Sequence, residues 1–94
     1  FLYHYSGRDF EYDPRKSVAN EAKYGIDFDQ ATALWSDPFL LEVPATTEDE
    51  PRFIAIGRID QKHWTAVFTR RGDRVRLISV RRARRQEIDA YESL

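Results

Sequence analysis

The chain has 94 residues, 41% of them hydrophobic, with two Trp, six Phe and five Tyr, no cysteine, and a formal net charge of −1. That length supports one modest core, and that composition belongs to a folded domain rather than a disordered chain. Disulfides, cysteine-ligated metals and thiol nucleophiles are excluded; no apolar run reaches bilayer length, and no basic-then-apolar secretory pattern opens the chain, so a cytoplasmic protein without a membrane partner is expected.

The first eight residues, FLYHYSGR, are aromatic and broken by Ser6-Gly7. They read as a lead-in separate from the fold, taking His4 with them, and one domain is expected over residues 9–94. Asp9 to Asp13 reads as a short edge strand with Phe10 and Tyr12 on one side. Asp13-Pro14 is a helix-start signal, and the helix continues from Arg15 to Tyr24 until Gly25 stops it. Asp27 caps a second helix, in which Phe28, Ala31, Leu34 and Trp35 form one apolar stripe before Asp37-Pro38 ends it. Phe39 to Val43 is a short apolar strand, and Pro44 to Pro51, with Glu48-Asp49-Glu50, is a solvated loop.

Three strands follow in quick succession. Phe53 to Ile59 is apolar nearly throughout, Asp60-Gln61-Lys62 is a tight connection, and His63 to Arg70 alternates Trp64, Ala66 and Phe68 against His63, Thr65, Val67 and Thr69. Arg71-Gly72-Asp73-Arg74 is a turn with Gly72 suited to a positive φ. Val75 to Arg81 returns, and strict alternation sets Val75, Leu77, Ser79 and Arg81 against Arg76, Ile78 and Val80. From Ala83 on, Glu87, Ile88 and Tyr91 recur at helical spacing. The expected class is α+β: two N-terminal helices, an antiparallel meander and a C-terminal helix.

Charge is divided along the chain. Residues 1–50 carry four Lys/Arg against eleven Asp/Glu, and residues 51–94 carry eleven against five. Eight of the twelve arginines fall between Phe68 and Glu87. A basic half is the footprint of a polyanion ligand such as RNA, because phosphate contacts supply most of the affinity; the alternative is that the two halves neutralise each other on folding. Metal chemistry is poorly provided for, since two histidines offer no zinc-type spacing and the 48–50 cluster no calcium loop. No cofactor is expected, there being no glycine-rich phosphate loop, nucleophile elbow or dinucleotide fingerprint.

The order of elements and the residues at their junctions resemble the BrnT family, the toxin half of a bacterial type II toxin–antitoxin system. The resemblance is carried by FEYDPRKSVANEAKYGIDF, with Asn20, Lys23, Gly25, Ile26 and Phe28; by Ala31 and Asp37-Pro38; by Arg52 and Ile56-Gly57; and by VFTRRGDRVRLISVRRARRQEIDAY. It departs from the family's usual Lys-His-Gly pattern at Lys23-Tyr24-Gly25. The resemblance implies a compact RelE-like fold and a ribonuclease that arrests growth. It also implies a cognate BrnA-like antitoxin and an RNA substrate, with DNA reached only indirectly through the antitoxin complex.

Metal-free RNA cleavage needs a base for the 2′-hydroxyl, an acid for the leaving oxygen, and cations around the phosphate. Arg71, Arg76 and Arg81 are the candidate cations, since a guanidinium binds two phosphate oxygens and stays charged, although such arginines also make solvated sheet faces. His63, Lys23 and Glu87 are the candidate proton carriers. Each has a plainer role: a surface histidine, a surface lysine sharing a helix face with Asn20, and a brace pairing Arg84 or Arg85. Arg52, Arg70, Arg82, Arg85, Tyr24 and Tyr91 complete a candidate RNA-binding set, in which Tyr91 stacks on a base or packs into the core. The rival reading is a non-catalytic module whose arginine-rich face docks an acidic partner or RNA; a purely structural domain would show no RNA affinity.

Overall fold

The computed structural model describes residues 10–45 and 51–93. The lead-in with His4, Asp9, and the Glu48 to Glu50 cluster lie outside them.

Local chemistry sets the helices where the caps stand. α1 spans Pro14–Tyr24; the Asp13 carboxylate accepts from the Arg15 amide at 2.9 Å, Pro14 sits in the first turn, and Gly25 closes the helix at φ 84. α2 is a single turn, Phe28–Ala31, held by a capping box in which Asp27 accepts from the Gln30 amide and Gln30 from the Asp27 amide. The expected second helix does not continue as α-helix: Thr32–Ser36 tightens into a 3-10 helix. The three-residue turn keeps Ala31 and Leu34 aligned on Phe28, and all three are fully buried.

Five strands make one sheet in the order β1-β5-β4-β3-β2: β1 Phe10–Glu11, β2 Leu41–Ala45, β3 Arg52–Ile59, β4 Lys62–Arg71 and β5 Arg74–Arg82. Strands β2 to β5 form the expected antiparallel meander, but β1 runs parallel to β5, so the sheet is mixed. The parallel pairing follows from α1 and α2, which carry the chain away from β1 before the meander begins. β2 also runs past the expected limit to include Pro44, tolerated because β2 is an edge strand. The hairpin turns shrink to Asp60-Gln61, with Asp60 at φ 58, and Gly72-Asp73, with Gly72 at φ 62. α3, Arg85–Glu92, closes the chain.

The core lies between one sheet face and α1, α2 and the 3-10 helix. Its centre joins Phe10, Tyr12, Phe28, Leu34, Ala66, Phe68, Val75, Leu77 and Val80. Trp35 meets Phe10 and Phe68 edge-on at 5.2 and 5.4 Å, and Tyr12 meets Phe28 at 5.4 Å.

Two features position the other face. Asn20, buried on α1, uses its amide as a strand would: it donates to the carbonyls of Ile26 (2.8 Å) and Val80 (2.9 Å) and accepts from the Val80 amide (3.1 Å). The edge of β5 beyond the short β1 is thereby satisfied by a side chain, and α1 is pinned beside Arg81. The second feature is a bulge. Pairing passes from Val67 with Ser79 to Phe68 with Leu77, which leaves Ile78 without a partner. Strict alternation separates Arg76 from Arg81; the extra residue puts them on the same face, because their partners Thr69 and Thr65 are an even number of residues apart. It also explains how Val75, Leu77 and Val80 all reach the core.

Candidate functional site

α3 returns across this second face at the end where Thr65 pairs with Arg81. Glu87 occupies the third position of α3 and is the junction of the site. Its Oε1 accepts from the Arg84 amide (2.7 Å), Arg81 Nη1 (2.9 Å) and the Thr65 hydroxyl (3.0 Å), while Oε2 accepts from Arg81 Nη2 (2.8 Å). The parallel fork to Arg81, helped by the Arg84 amide and Thr65, outweighs partial burial and holds the Glu87 carboxyl down to about 2. Glu87 is therefore charged, with its acceptor capacity in use, and is a weak base. The same contact raises Arg81 above its ordinary value, with a smaller contribution from nearby Tyr24. Arg81 keeps its Nε without an acceptor among the described residues, and its side chain is 21% exposed.

Along this face the surface is only partly covered. Ile54, Val67 and Ser79 are half-buried between the Arg81 end and the half-buried Arg76. Thr65 and Thr69 lie four residues apart on β4, so Arg81 and Arg76 are separated by about 14 Å at ordinary strand rise. Arg52 lies at the same end as Arg76 by alternation on β3, and Arg71 stands at the hairpin tip. Arg52, Arg71 and Arg76 make no side-chain hydrogen bond or ion pair among the described residues.

His63 shares the face with Thr65. Its Nε2 lies 2.9 Å from Glu92 Oε2, and its ring meets Tyr91 edge-on at 5.4 Å. The Glu92 carboxylate thereby fixes the orientation of the imidazole ring. Tyr91 is buried and donates to Asp37 Oδ2 at 2.6 Å; burial and that bond raise its hydroxyl to about 12. Burial opposes the Asp37 charge, yet the Tyr91 hydroxyl and the amides of Phe39 and Arg58 more than offset it and lower its pKa. This carboxylate clamps α3 to the start of β2 and the end of β3, and Tyr91 packs rather than presenting its ring.

The remaining candidates scatter. Lys23 lies with its Nζ 5.2 Å from the ring of its neighbour Tyr24, which flanks Arg81. Arg70 lies on the core side, bonded to Glu42 and set over Phe53 and Phe68 at 5.5 and 5.4 Å. Arg82 is also on that side, over Trp64 at 5.4 Å. Arg85 is exposed and faces Asp89 at 3.5 Å. Both outcomes of the divided charge occur together: Arg70 with Glu42 and Arg74 with Glu11 neutralise across the halves, while Arg52, Arg71 and Arg76 do not. Sequence reasoning missed Thr65, Asp37 and Glu92 as partners and gave Asn20 no structural role.

Among the described residues no three His, Asp or Glu side chains converge as a metal site, and no helix is long and apolar enough to cross a membrane. Residues 12–87 match the family described as ribonuclease toxin, BrnT, of type II toxin–antitoxin system. The chain belongs to the BrnT family. That match covers most of the chain and ends at Glu87, so it takes in α1 with Asn20, the bulged β5, and the Arg81–Glu87 fork. The family is one of toxin ribonucleases from toxin–antitoxin systems. Among curated proteins none matches the chain.

Proposed function

We propose that this BrnT-family chain is a metal-independent endoribonuclease of RelE-like architecture that cleaves RNA in the bacterial cytoplasm, arrests growth, and is neutralised by a cognate BrnA-like antitoxin. DNA is reached only through the antitoxin. The observation that carries the reading is that Arg76 and Arg81 share one half-open sheet face, with Arg81 held rigidly by Glu87 while its Nε remains available. A pre-oriented guanidinium stabilises the crowded phosphate without reorganising during the reaction.

Arg81 is the phosphate ligand nearest the chemistry. Arg76, Arg52 and Arg71 extend the cationic track along the face away from Arg81, while Tyr24, with Lys23 next to it, flanks Arg81 itself. Glu87 serves as a positioning residue, since a carboxylate held at about 2 accepts protons poorly near neutral pH. His63, oriented by Glu92, is the proton carrier. Arg70 and Tyr91 serve the fold, and Arg82 and Arg85 add positive charge at the rim.

The test is cleavage of a labelled single-stranded RNA by the purified chain in excess EDTA. Cleavage that survives EDTA and falls at least a hundredfold in Arg81→Ala, with circular dichroism unchanged, supports the reading. Cleavage lost in EDTA and restored by a divalent ion contradicts it.

A further inference from the structure

Behind the Arg81 end, on the core side of the sheet, lies a cavity of about 400 Å³ that the reaction proposed above leaves unused. Ile26, Ile59 and Trp64 form its apolar walls, and Gln30, Gln61 and Lys62 stand at its rim. We infer that this cavity is a subsite for one unpaired nucleobase of the RNA. The inference rests on the RNA-cleaving reading.

Size and chemistry argue for that occupant. The volume lies in the range of small-molecule sites, and apolar walls with a few fixed polar groups are how such sites take a flat heteroaromatic ring. Trp64 is only 8% exposed, and its indole N–H donates to no acceptor among the described residues. It is not a sealed polar atom either, so it remains available to a ligand. The Gln30 amide is oriented: its Oε1 accepts from the Asp27 amide at 3.1 Å, which turns its NH2 away from the cap as a second donor. Asp60, also on the lining and held at φ 58 in the hairpin turn, adds an acceptor. Two donors and an acceptor around an apolar slot read a base edge, and the four bases differ along that edge.

Placement argues for continuity with the reaction site. Arg81 and Arg82 are successive on β5, so their side chains point to opposite faces, and Arg82 reaches the Trp64 ring at 5.4 Å. A strand of RNA crossing the end of β5 meets a guanidinium on each side. Gly25, which also lines the cavity, directly follows Tyr24 beside Arg81. In this arrangement one strand of RNA places a phosphate on Arg81 and a base in the cavity, and the cavity selects a base close to the cleaved bond.

The two tryptophans make the test internally controlled. Trp35 donates its indole N–H to Glu42 at 3.0 Å, whereas Trp64 has no acceptor among the described residues. The 15N-labelled chain is titrated with non-cleavable 2′-O-methyl hexanucleotides of A, C, G or U, following both indole N–H signals and the backbone amides. The expected result is a shift of the Trp64 signal, with Trp35 unmoved, that is largest for one base. Gln30→Glu keeps the capping acceptor but removes the donor, and it should weaken that oligonucleotide about tenfold while the others change less than about twofold. Binding that moves the amides of Arg76 and Arg81 but leaves the Trp64 indole unmoved, or identical behaviour of all four bases, overturns the subsite while the RNA reading stands. No binding by the parent chain overturns both.

Discussion

Replacing Glu87 by Gln separates the electrostatic role of this carboxylate from its shape. In the folded chain the group titrates at about 2 against an ordinary value of 4.5. At 1.36 kcal/mol per unit, the charged form is stabilised by about 3 kcal/mol relative to the unfolded chain. Because the folded value is depressed, that stability is fully present above about pH 4.5 and is lost as pH falls through about 2. Glu87→Gln keeps the hydrogen-bond acceptor Oε1 but no longer offers a charge to the Arg81 fork, so it should unfold about 2–3 kcal/mol more easily at pH 7. At pH 2 the gap between parent and variant should shrink to a few tenths of a kcal/mol. Urea unfolding followed by tryptophan fluorescence at pH 7, 4.5, 3 and 2 reads the difference, and subtracting the variant removes the contributions of Asp13 and Asp37, whose pKa values are also lowered. A parent–variant difference that stays constant across this range would refute the charge argument and leave Glu87 as a packing residue.

Other expected outcomes follow from single contacts. Asn20→Ala leaves the Val80 amide and two buried carbonyls without partners and should cost about 2–4 kcal/mol in urea or thermal unfolding; a loss under 1 kcal/mol would mean that water replaces the amide. Gly57→Ala places a Cβ 2.9 Å from Leu40 Cδ1 and 3.2 Å from Asp37 Oδ2, so it should destabilise by about 1–3 kcal/mol through overpacking, and an unchanged melting temperature would show that Leu40 yields freely. Spectrophotometric titration should leave the Tyr91 hydroxyl protonated until about 12, with its share of stability lost as pH rises from 10. Tyr91→Phe should remove that late step at a cost of about 1–2 kcal/mol; a titration curve unchanged by the substitution would rule out the Asp37 bond.

The parts of the fold that local chemistry dictates were legible in the chain. Asp13-Pro14 and Gly25 bracket α1 because a cap and a left-handed residue are local requirements, and alternation around Trp64, Ala66 and Phe68 marks the core face of β4. What depends on distant partners was not legible. The parallel pairing of β1 rests on how α1 and α2 route the chain, and the bulge at Val67 and Phe68 leaves no residue-type signal while reversing the face of Arg81 relative to Arg76. Arg70 and Arg81 look alike as exposed strand arginines, yet one is bonded to Glu42 over two phenylalanine rings and the other forks to Glu87. Glu87 was readable as a brace but not as the brace of Arg81, since no spacing rule links a strand's end to the third position of the next helix. Asn20 was noticed through resemblance, and its work of completing the β5 edge became visible only in three dimensions.

The central claim is that the Arg81 end of the sheet cleaves RNA. It is tested most directly by inducing the parent chain, and separately Arg81→Ala, in a bacterium lacking the antitoxin, and following growth together with bulk RNA integrity. The account predicts arrest with RNA breakdown for the parent and neither for Arg81→Ala, provided the variant accumulates as folded protein. Normal growth and intact RNA with the parent folded and abundant, or equal toxicity in the folded variant, would contradict it.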